Sequence, residues 1–132
     1  MKGSTNWVVA FLLFCGLGLW NCNDENQPPV SAEILDKLLT EIQELSLGVP
    51  CEDASEWRFT ALGSKPCGGP WSYIAYSSKI DTLDFLNKVK DYTERQRRFN
   101  IETGAISDCA LAQRPEEVIC RDGKPVFSYR LE

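Results

Sequence analysis

The chain has 132 residues, of which 25% are charged, and its net charge is −5. This length is enough for one compact domain but not for two, and the acidic balance argues against binding to nucleic acid or to an anionic membrane surface. The chain has no histidine, which removes Ser-His and Cys-His catalysis and nearly all catalytic zinc sites.

The first 22 residues have the pattern of an export signal that ends on a cysteine. Lys2 supplies the positive start, and residues 7–20 form an apolar run that suits a signal peptide and is too short to span a bilayer. Cys22 stands where a lipoprotein carries its acylated cysteine. We therefore predict a signal peptide over residues 1–22, lipidation of Cys22, and a protein held at the outer membrane or cell surface through that lipid alone.

The residues before Cys22 argue against its lipidation, whereas the residues after it favour lipidation. Residues 19–21, Leu-Trp-Asn, depart from the usual lipoprotein pattern, which has a small residue directly before the cysteine. Residues 23–25, Asn-Asp-Glu, resemble the export tag of surface-exposed lipoproteins in Bacteroidetes-type bacteria. The alternative is a periplasmic or secreted protein in which Cys22 is an unpaired thiol, and such a thiol is a liability in an oxidising compartment.

Four cysteines remain in the exported part of the chain, and they predict two disulfides. They are Cys51, Cys67, Cys109 and Cys120. Their spacing contains no Cys-x-x-Cys pair, so we expect no metal and no cofactor. Three pairings are open. We favour bridges that join the first two cysteines to the last two, because a Cys51–Cys67 bridge would require the chain to fold back along the strand between them.

Residues 23–29 are polar and end in two prolines, and residues 23–30 are predicted to form a tether. Apolar residues then recur at helical spacing after Ser31, a residue type that caps helices, until Gly48 ends the pattern. Residues 57–62 and 71–76 alternate and are aromatic, which predicts two strands separated by a loop. The inner face of the first helix is predicted to be Ile34, Leu35, Leu38, Leu39, Ile42 and Leu45.

Asp81 predicts the start of a second helix that runs to about Phe99, with three arginines near its end that would complement the helix dipole. Residues 106–112 predict a third strand. Asp122-Gly123 lies between two apolar runs and predicts a hairpin. The inner face of the second helix is predicted to be Leu83, Leu86, Val89, Tyr92 and Phe99, and the arginines are Arg95, Arg97 and Arg98.

This order predicts an α+β fold over residues 31–132, a single domain with two disulfides. We expect one antiparallel sheet of four to five strands, packed by two helices on one face. The other face of the sheet would be in water or would hold a ligand. We expect the protein to be a monomer.

Residues 63–77 form the most distinctive run of the chain. Its prolines and glycines fix an unusual backbone path, and aromatic side chains stand beside it. We take this run as a candidate binding loop. Its candidate binding residues are Lys65, Pro66, Gly68, Gly69, Trp71 and Tyr73.

The run resembles the signature of a family of small exported bacterial lipoproteins of unknown function, found mainly in Bacteroidetes-type species. That signature has a cysteine before an aromatic strand, then Gly-Ser-Lys-x-Cys-Gly-Gly-Pro and Tyr-Ile-Ala-Tyr-Ser, then Ser-Asp-Cys and a last cysteine before Gly-Lys. The resemblance spans about residues 51–129 and implies export, but it implies no activity. The matching residues are Cys51, 63–70, 73–77, 107–109, and Cys120 before Gly123-Lys124.

We interpret the chain as a non-enzymatic binding module whose ligand is unknown, a protein or a cell-envelope component, because a rigid loop beside aromatic rings suits recognition. One specific form is an inhibitor of a protease or cell-wall hydrolase that offers an exposed Lys65-Pro66-Cys67 to its target. One alternative is an envelope structural or assembly protein with a large apolar patch on the sheet or first helix. Another is a small hydrolase that uses Asp108 and a second carboxylate, both with raised pKa. The loop could also serve folding alone.

Overall fold

The computed structural model describes residues 28–130. The predicted signal peptide, Cys22 and residues 23–27 of the predicted tether lie outside the described residues, as do residues 131 and 132. No helix within residues 28–130 is long and apolar enough to cross a membrane. The elements are helix α1 (Ala32–Ser46), strands β1 (Trp57–Leu62) and β2 (Ser72–Ser77), helix α2 (Thr82–Thr103), and strands β3 (Glu117–Arg121) and β4 (Lys124–Ser128).

Helix α1 begins where its capping residue predicts. The Ser31 hydroxyl accepts a hydrogen bond from the Ile34 N–H at 3.3 Å, which satisfies one of the free donors of the first turn. Leu35 and Ile42 are buried on one side of the helix. Val30, the last residue of the predicted tether, is buried as well.

Strands β1 and β2 pair antiparallel along their whole lengths, and β2 begins one residue later than predicted. Because successive side chains point to opposite faces of a strand, this hairpin has two faces. Leu62 and Ile74 pack against the helices on one face. Trp57 and Ala75 pack against Val118 of β3 on the other.

Helix α2 is capped by Asp81, whose carboxylate accepts a hydrogen bond from the Asp84 N–H at 3.0 Å. Its predicted inner face is wrong in part, because Leu83 is 70% exposed and Leu86 is exposed too. Phe85 faces the core instead and has no exposed surface. Residues 85, 89 and 92 therefore form the buried face, at the spacing of a helix that packs on a sheet.

The end of α2 also differs from the prediction. The helix continues to Thr103 and stops at Gly104, which has a φ of 63°, a conformation that glycine adopts readily. The last turn contains no basic residue, so the predicted match between the three arginines and the helix dipole is wrong. Arg95 instead pairs with Asp91 one turn earlier, at 2.8 Å.

The helix-side core lies between the two helices and β1–β2. The end of α1 is also fixed to the sheet, because the buried Ser46 hydroxyl donates a hydrogen bond to the Ala75 carbonyl at 2.7 Å. The buried members of this core are Val30, Leu35, Ile42, Leu62, Ile74, Phe85, Val89 and Tyr92.

Strands β3 and β4 form an antiparallel hairpin of their own. Its turn residues Asp122 and Gly123 have φ values of 52° and 72°, as the Asp-Gly signal predicts. Within residues 28–130 the α+β class, the two helices and the four strands are confirmed. The single sheet is wrong, because β1–β2 and β3–β4 are separate two-stranded sheets. The second hairpin covers part of the sheet face that was expected to be open.

The two predicted disulfides are present, and both join one of the first two cysteines to one of the last two. Cys51 bonds Cys120 with a Cα–Cα distance of 5.2 Å, and Cys67 bonds Cys109 with a Cα–Cα distance of 5.4 Å. Cys51 also donates its N–H to the Gly123 carbonyl at 2.8 Å. The first bridge lies in a small disulfide-side core, in which Cys51, Trp57, Ala75 and Val118 are buried.

The predicted third strand is wrong. Residues 105–115 run without strand pairing, turn or bend between α2 and β3. We call this stretch the 105–115 segment, and we call the glycine-rich stretch between β1 and β2 the 63–70 loop. Their contact builds the candidate site.

Candidate functional site

The 63–70 loop and the 105–115 segment are joined by the Cys67–Cys109 disulfide, and both of its cysteines are exposed. Cys109 has a φ of 54°, in the left-handed region that residues other than glycine rarely adopt. The surroundings of the bridge must therefore enforce this backbone conformation.

Lys65 is the residue on which the two stretches converge. Its side chain is only 8% exposed, and its ammonium donates hydrogen bonds to Asp108 Oδ1 at 3.2 Å and to the Ala110 carbonyl. The ammonium also lies 5.0 Å from the centroid of the Trp71 ring, in a cation–π contact. The expected exposure of Lys65 is wrong, because these groups replace the water around its charge.

Asp108 is positioned by the same contact. The Ala110 N–H, which donates to Asp108 Oδ1 at 3.1 Å, and then the Lys65 ammonium hold the pKa of this carboxyl below its ordinary value. A general acid needs a raised pKa. The direction of this shift is opposite to the one predicted for a catalytic carboxyl.

Three polar side chains of α2 hold the first residues of the loop. The Gly63 N–H donates to Thr93 Oγ1 at 3.1 Å, and the Ser64 N–H donates to Gln96 Oε1 at 2.7 Å. Asn100 Nδ2 donates to the Ser64 carbonyl at 2.7 Å. Sequence reasoning missed these residues, although polar side chains three and four positions apart share one side of a helix.

Trp71 is fixed in place yet partly open to solvent. Its backbone N–H donates to the Leu62 carbonyl at 3.2 Å. A Cβ on Gly63, which has a φ of 77°, would lie 2.4 Å from Gln96 Oε1 and 3.3 Å from Trp71 Cδ1, so glycine leaves the room that the indole needs. The Trp71 residue is 43% exposed. A partner would therefore meet a ring that is already oriented.

The tip of the 63–70 loop is a tight turn. The Gly68 N–H donates to the Lys65 carbonyl, and the Lys65 N–H donates to the Gly69 carbonyl, both at 2.9 Å. Gly68 and Gly69 have φ values of 94° and 78°, and a Cβ on either would meet nothing, so conformation rather than space requires glycine here. A groove of about 410 Å³ beside this tip is lined by residues that include Ser64, Pro66, Gly68, Arg97, Asn100 and Ile101.

A series of aromatic rings crosses the region between the two hairpins. Tyr73 contacts Phe59, Phe59 contacts Phe127, and Phe127 contacts Tyr129, with ring centroids 5.9, 6.0 and 6.4 Å apart. The adjacent aromatic groove has a volume of about 500 Å³ and a lining without charge. Sequence reasoning had selected two of its members, Trp71 and Tyr73. The lining residues are Trp71, Ser72, Tyr73, Ala112, Gln113, Phe127 and Tyr129.

The 105–115 segment exposes two large apolar side chains that sequence reasoning placed in a strand and did not select. Ile106 is 93% exposed and Leu111 is 89% exposed. Among the exposed large apolar residues in the described part of the chain, these two have the highest exposed fractions. The signal that could have found Leu111 is its position between a disulfide cysteine, Cys109, and Pro115, which disfavours a paired strand.

Within residues 28–130, the Cys, Asp and Glu side chains form no group of three that could hold a metal ion. Comparisons of the chain with models of known protein families, with curated proteins and with solved structures find no match.

Proposed function

We propose that this protein is an exported, lipid-anchored, non-enzymatic binding module that recognises a protein or another cell-envelope component. One observation carries the proposal. The surface around Trp71 and the 105–115 segment is exposed, yet it is held by a disulfide, a buried ammonium and three α2 side chains. Holding a surface in one conformation before contact lowers the entropy that is lost on binding.

The chemistry of the aromatic groove supports recognition. Its rings offer large apolar area together with the polar atoms of Trp71, Tyr73 and Tyr129, a combination that is enriched at binding surfaces. The groove also adjoins the 105–115 segment, because Ala112 and Gln113 form part of its lining. A partner can thus contact the groove and the segment together.

The alternatives find less support in the same residues. An envelope-assembly protein would be favoured by a broad apolar patch on an open sheet face, but β3–β4 packs on that face of β1–β2. A carboxylate-dependent hydrolase would be favoured by a raised pKa at Asp108, but the pKa of this carboxyl is lowered. Neither observation favours a second function.

The anchor is tested by metabolic labelling with a fatty acid. The wild-type chain should take up label and fractionate with membranes, whereas Cys22→Ser should do neither. Cys15→Ser, which removes the other cysteine of the first 22 residues, is the matched control and should be labelled as the wild type is. Equal labelling of Cys22→Ser would contradict the lipid anchor.

The binding surface is tested by crosslinking in cells that produce the tagged full-length protein. Trp71→Ala should lose the crosslinked partner. Leu83→Ala should retain it, because Leu83 is also apolar and exposed but lies on α2. Capture that is indifferent to Trp71 would exclude the aromatic groove from the binding surface, and a wild type that captures nothing would contradict the proposal.

A further inference from the structure

The 105–115 segment has the backbone and side-chain exposure of a loop that binds in the cleft of another protein. It runs without turn or bend, and the backbone–backbone hydrogen bonds of the described residues include none to residues 111–114. Leu111 stands almost entirely in solvent at 89% exposure. An extended backbone with free N–H and C=O groups and one protruding apolar side chain is the form in which a protease accepts its substrate.

The segment is fixed on both sides of Leu111. Before it, Cys109 is bonded to Cys67 and the Ala110 carbonyl accepts a hydrogen bond from Lys65. After it, the Arg114 guanidinium lies 5.8 Å from the centroid of the Phe59 ring and Pro115 is buried. The Glu116 N–H then donates to the Ser128 carbonyl at 2.9 Å. Residues 111–113 thus lie between two supports, with Leu111 and Gln113 exposed and Ala112 half-buried.

We propose that the protein inhibits a serine endopeptidase whose primary specificity pocket is apolar, and that Leu111 is the side chain that enters this pocket. The assignment deepens the proposed binding function and rests on it. It also replaces the Lys65-Pro66-Cys67 stretch as the part offered to a protease. Lys65 is instead a positioning residue, since its ammonium holds the Ala110 carbonyl next to Leu111.

The neighbours of Leu111 suit such a partner. Ala110 and Ala112 are small, and Gln113 is uncharged, so the side chains beside Leu111 present neither bulk nor charge to an apolar cleft. A disulfide-held loop loses little conformational freedom on docking. These features favour a protease over a glycan or a lipid surface, for which a single protruding leucine offers little contact.

The supports also explain why cleavage need not release the loop. When the protease serine attacks the Leu111 carbonyl carbon, an ester to the serine forms and the bond to the Ala112 nitrogen breaks, and the serine proton passes through the protease's base to that nitrogen. The new amine stays in place because Arg114 and Pro115 hold the chain that follows it. It can attack the ester, which restores the peptide bond and the free serine.

The test is an inhibition assay with the purified, oxidised full-length protein against chymotrypsin, subtilisin and trypsin. We expect inhibition of the first two. Leu111→Asp should weaken it by about 100-fold or more, as expected for a side chain at the centre of an interface. Leu111→Lys should transfer inhibition to trypsin, whose pocket is acidic. Ile106→Asp makes the same change at the other exposed apolar residue of the segment and should inhibit as the wild type does.

Three results would overturn the assignment. They are no inhibition of chymotrypsin or subtilisin, equal inhibition by Leu111→Asp, and rapid complete cleavage after Leu111 without inhibition. If any of them occurs while Trp71-dependent crosslinking persists, the protease assignment fails and the binding function stands. If Trp71-dependent crosslinking is absent while Leu111-dependent inhibition is seen, the aromatic groove is not part of the recognition surface.

Discussion

The two faces of the β1–β2 hairpin are covered in different ways. On one face, α1 and α2 bury a continuous apolar core. On the other face, a small core with the Cys51–Cys120 disulfide holds β3–β4. At the loop end of the hairpin, the Cys67–Cys109 disulfide and a buried lysine hold the 105–115 segment. The helix-side core follows the ordinary rules of apolar packing, whereas the disulfide side is fixed by a few covalent and polar contacts. The candidate recognition surface is held by these covalent and polar contacts.

We expect a large-to-small substitution in the helix-side core to cause the largest loss in the free energy of unfolding. Phe85→Ala removes a side chain with no exposed surface and should lower the free energy of unfolding by about 3–5 kcal/mol. Leu83→Ala, two residues earlier and largely exposed, should change it by less than about 0.5 kcal/mol. Denaturant unfolding followed by circular dichroism measures both. Similar losses for the two variants would mean that α2 packs on a different face.

The two disulfides should differ in what their removal changes. Replacing Cys51 and Cys120 by serine should cost about 3–5 kcal/mol, because that bridge spans 69 residues and lies in the disulfide-side core. Replacing Cys67 and Cys109 should cost less, about 2–3 kcal/mol, because that bridge spans 42 residues and is exposed.

Replacing Cys67 and Cys109 should instead make the 105–115 segment susceptible to proteolysis. Limited proteolysis with mapping of the cleavage site, beside urea unfolding of both double variants, measures the difference. If removal of the exposed bridge leaves the segment as resistant as in the wild type, the bridge is not what fixes it.

Lys65→Met should have a smaller but local effect. It keeps the length of the side chain and removes the ammonium that bonds the Ala110 carbonyl and Asp108. We expect a loss of about 1–2 kcal/mol in the free energy of unfolding and faster proteolysis within the 105–115 segment. Lys37→Met, an exposed position on α1, is the matched control and should alter neither quantity.

The smallest expected effect is a pH dependence that involves Asp108. Its folded pKa is lowered from the ordinary value of 3.8, so its contribution to stability is present above that value and is lost as the pH falls through the folded pKa. The wild type should therefore exceed Asp108→Asn in stability at pH 7, and the difference should shrink below about pH 4. Glu102→Gln, which removes an exposed carboxylate of α2, is the matched control. Urea unfolding between pH 2.5 and 7 is the measurement, and a gap that grows on acidification would contradict the assignment.

Local signals predicted the elements of the helix-side core well. Ser31 and Asp81 cap their helices as predicted, and strand β1 has its predicted bounds. These features depend on residues close together in the chain, so a single sequence contains them. The predicted buried face of α2 contains Leu83 and Leu86, whereas the observed face contains Phe85. Helical spacing alone permits either set.

The disulfide side was harder to predict because its contacts join distant residues. Lys65 and Asp108 lie 43 positions apart, and lysine is rarely buried, so nothing local indicates that this ammonium is enclosed. The apolar residues of the 105–115 segment satisfied a strand pattern, yet Lys65 and Cys67 hold the segment and it pairs with no strand within residues 28–130. The separation into two small sheets likewise depends on how two hairpins stack, which hairpin signals do not specify.

Because Val30 is buried in the domain, its position in the chain limits the distance between the domain and a lipid anchor on Cys22. Only eight steps of chain separate Val30 from Cys22, and a fully extended chain covers at most about 3.6 Å per residue. With a lipid on Cys22, the first buried residue would lie within roughly 30 Å of the bilayer surface. Partners confined to the same membrane would then meet the domain at a high effective concentration, and even a weak intrinsic affinity would be enough to keep them bound.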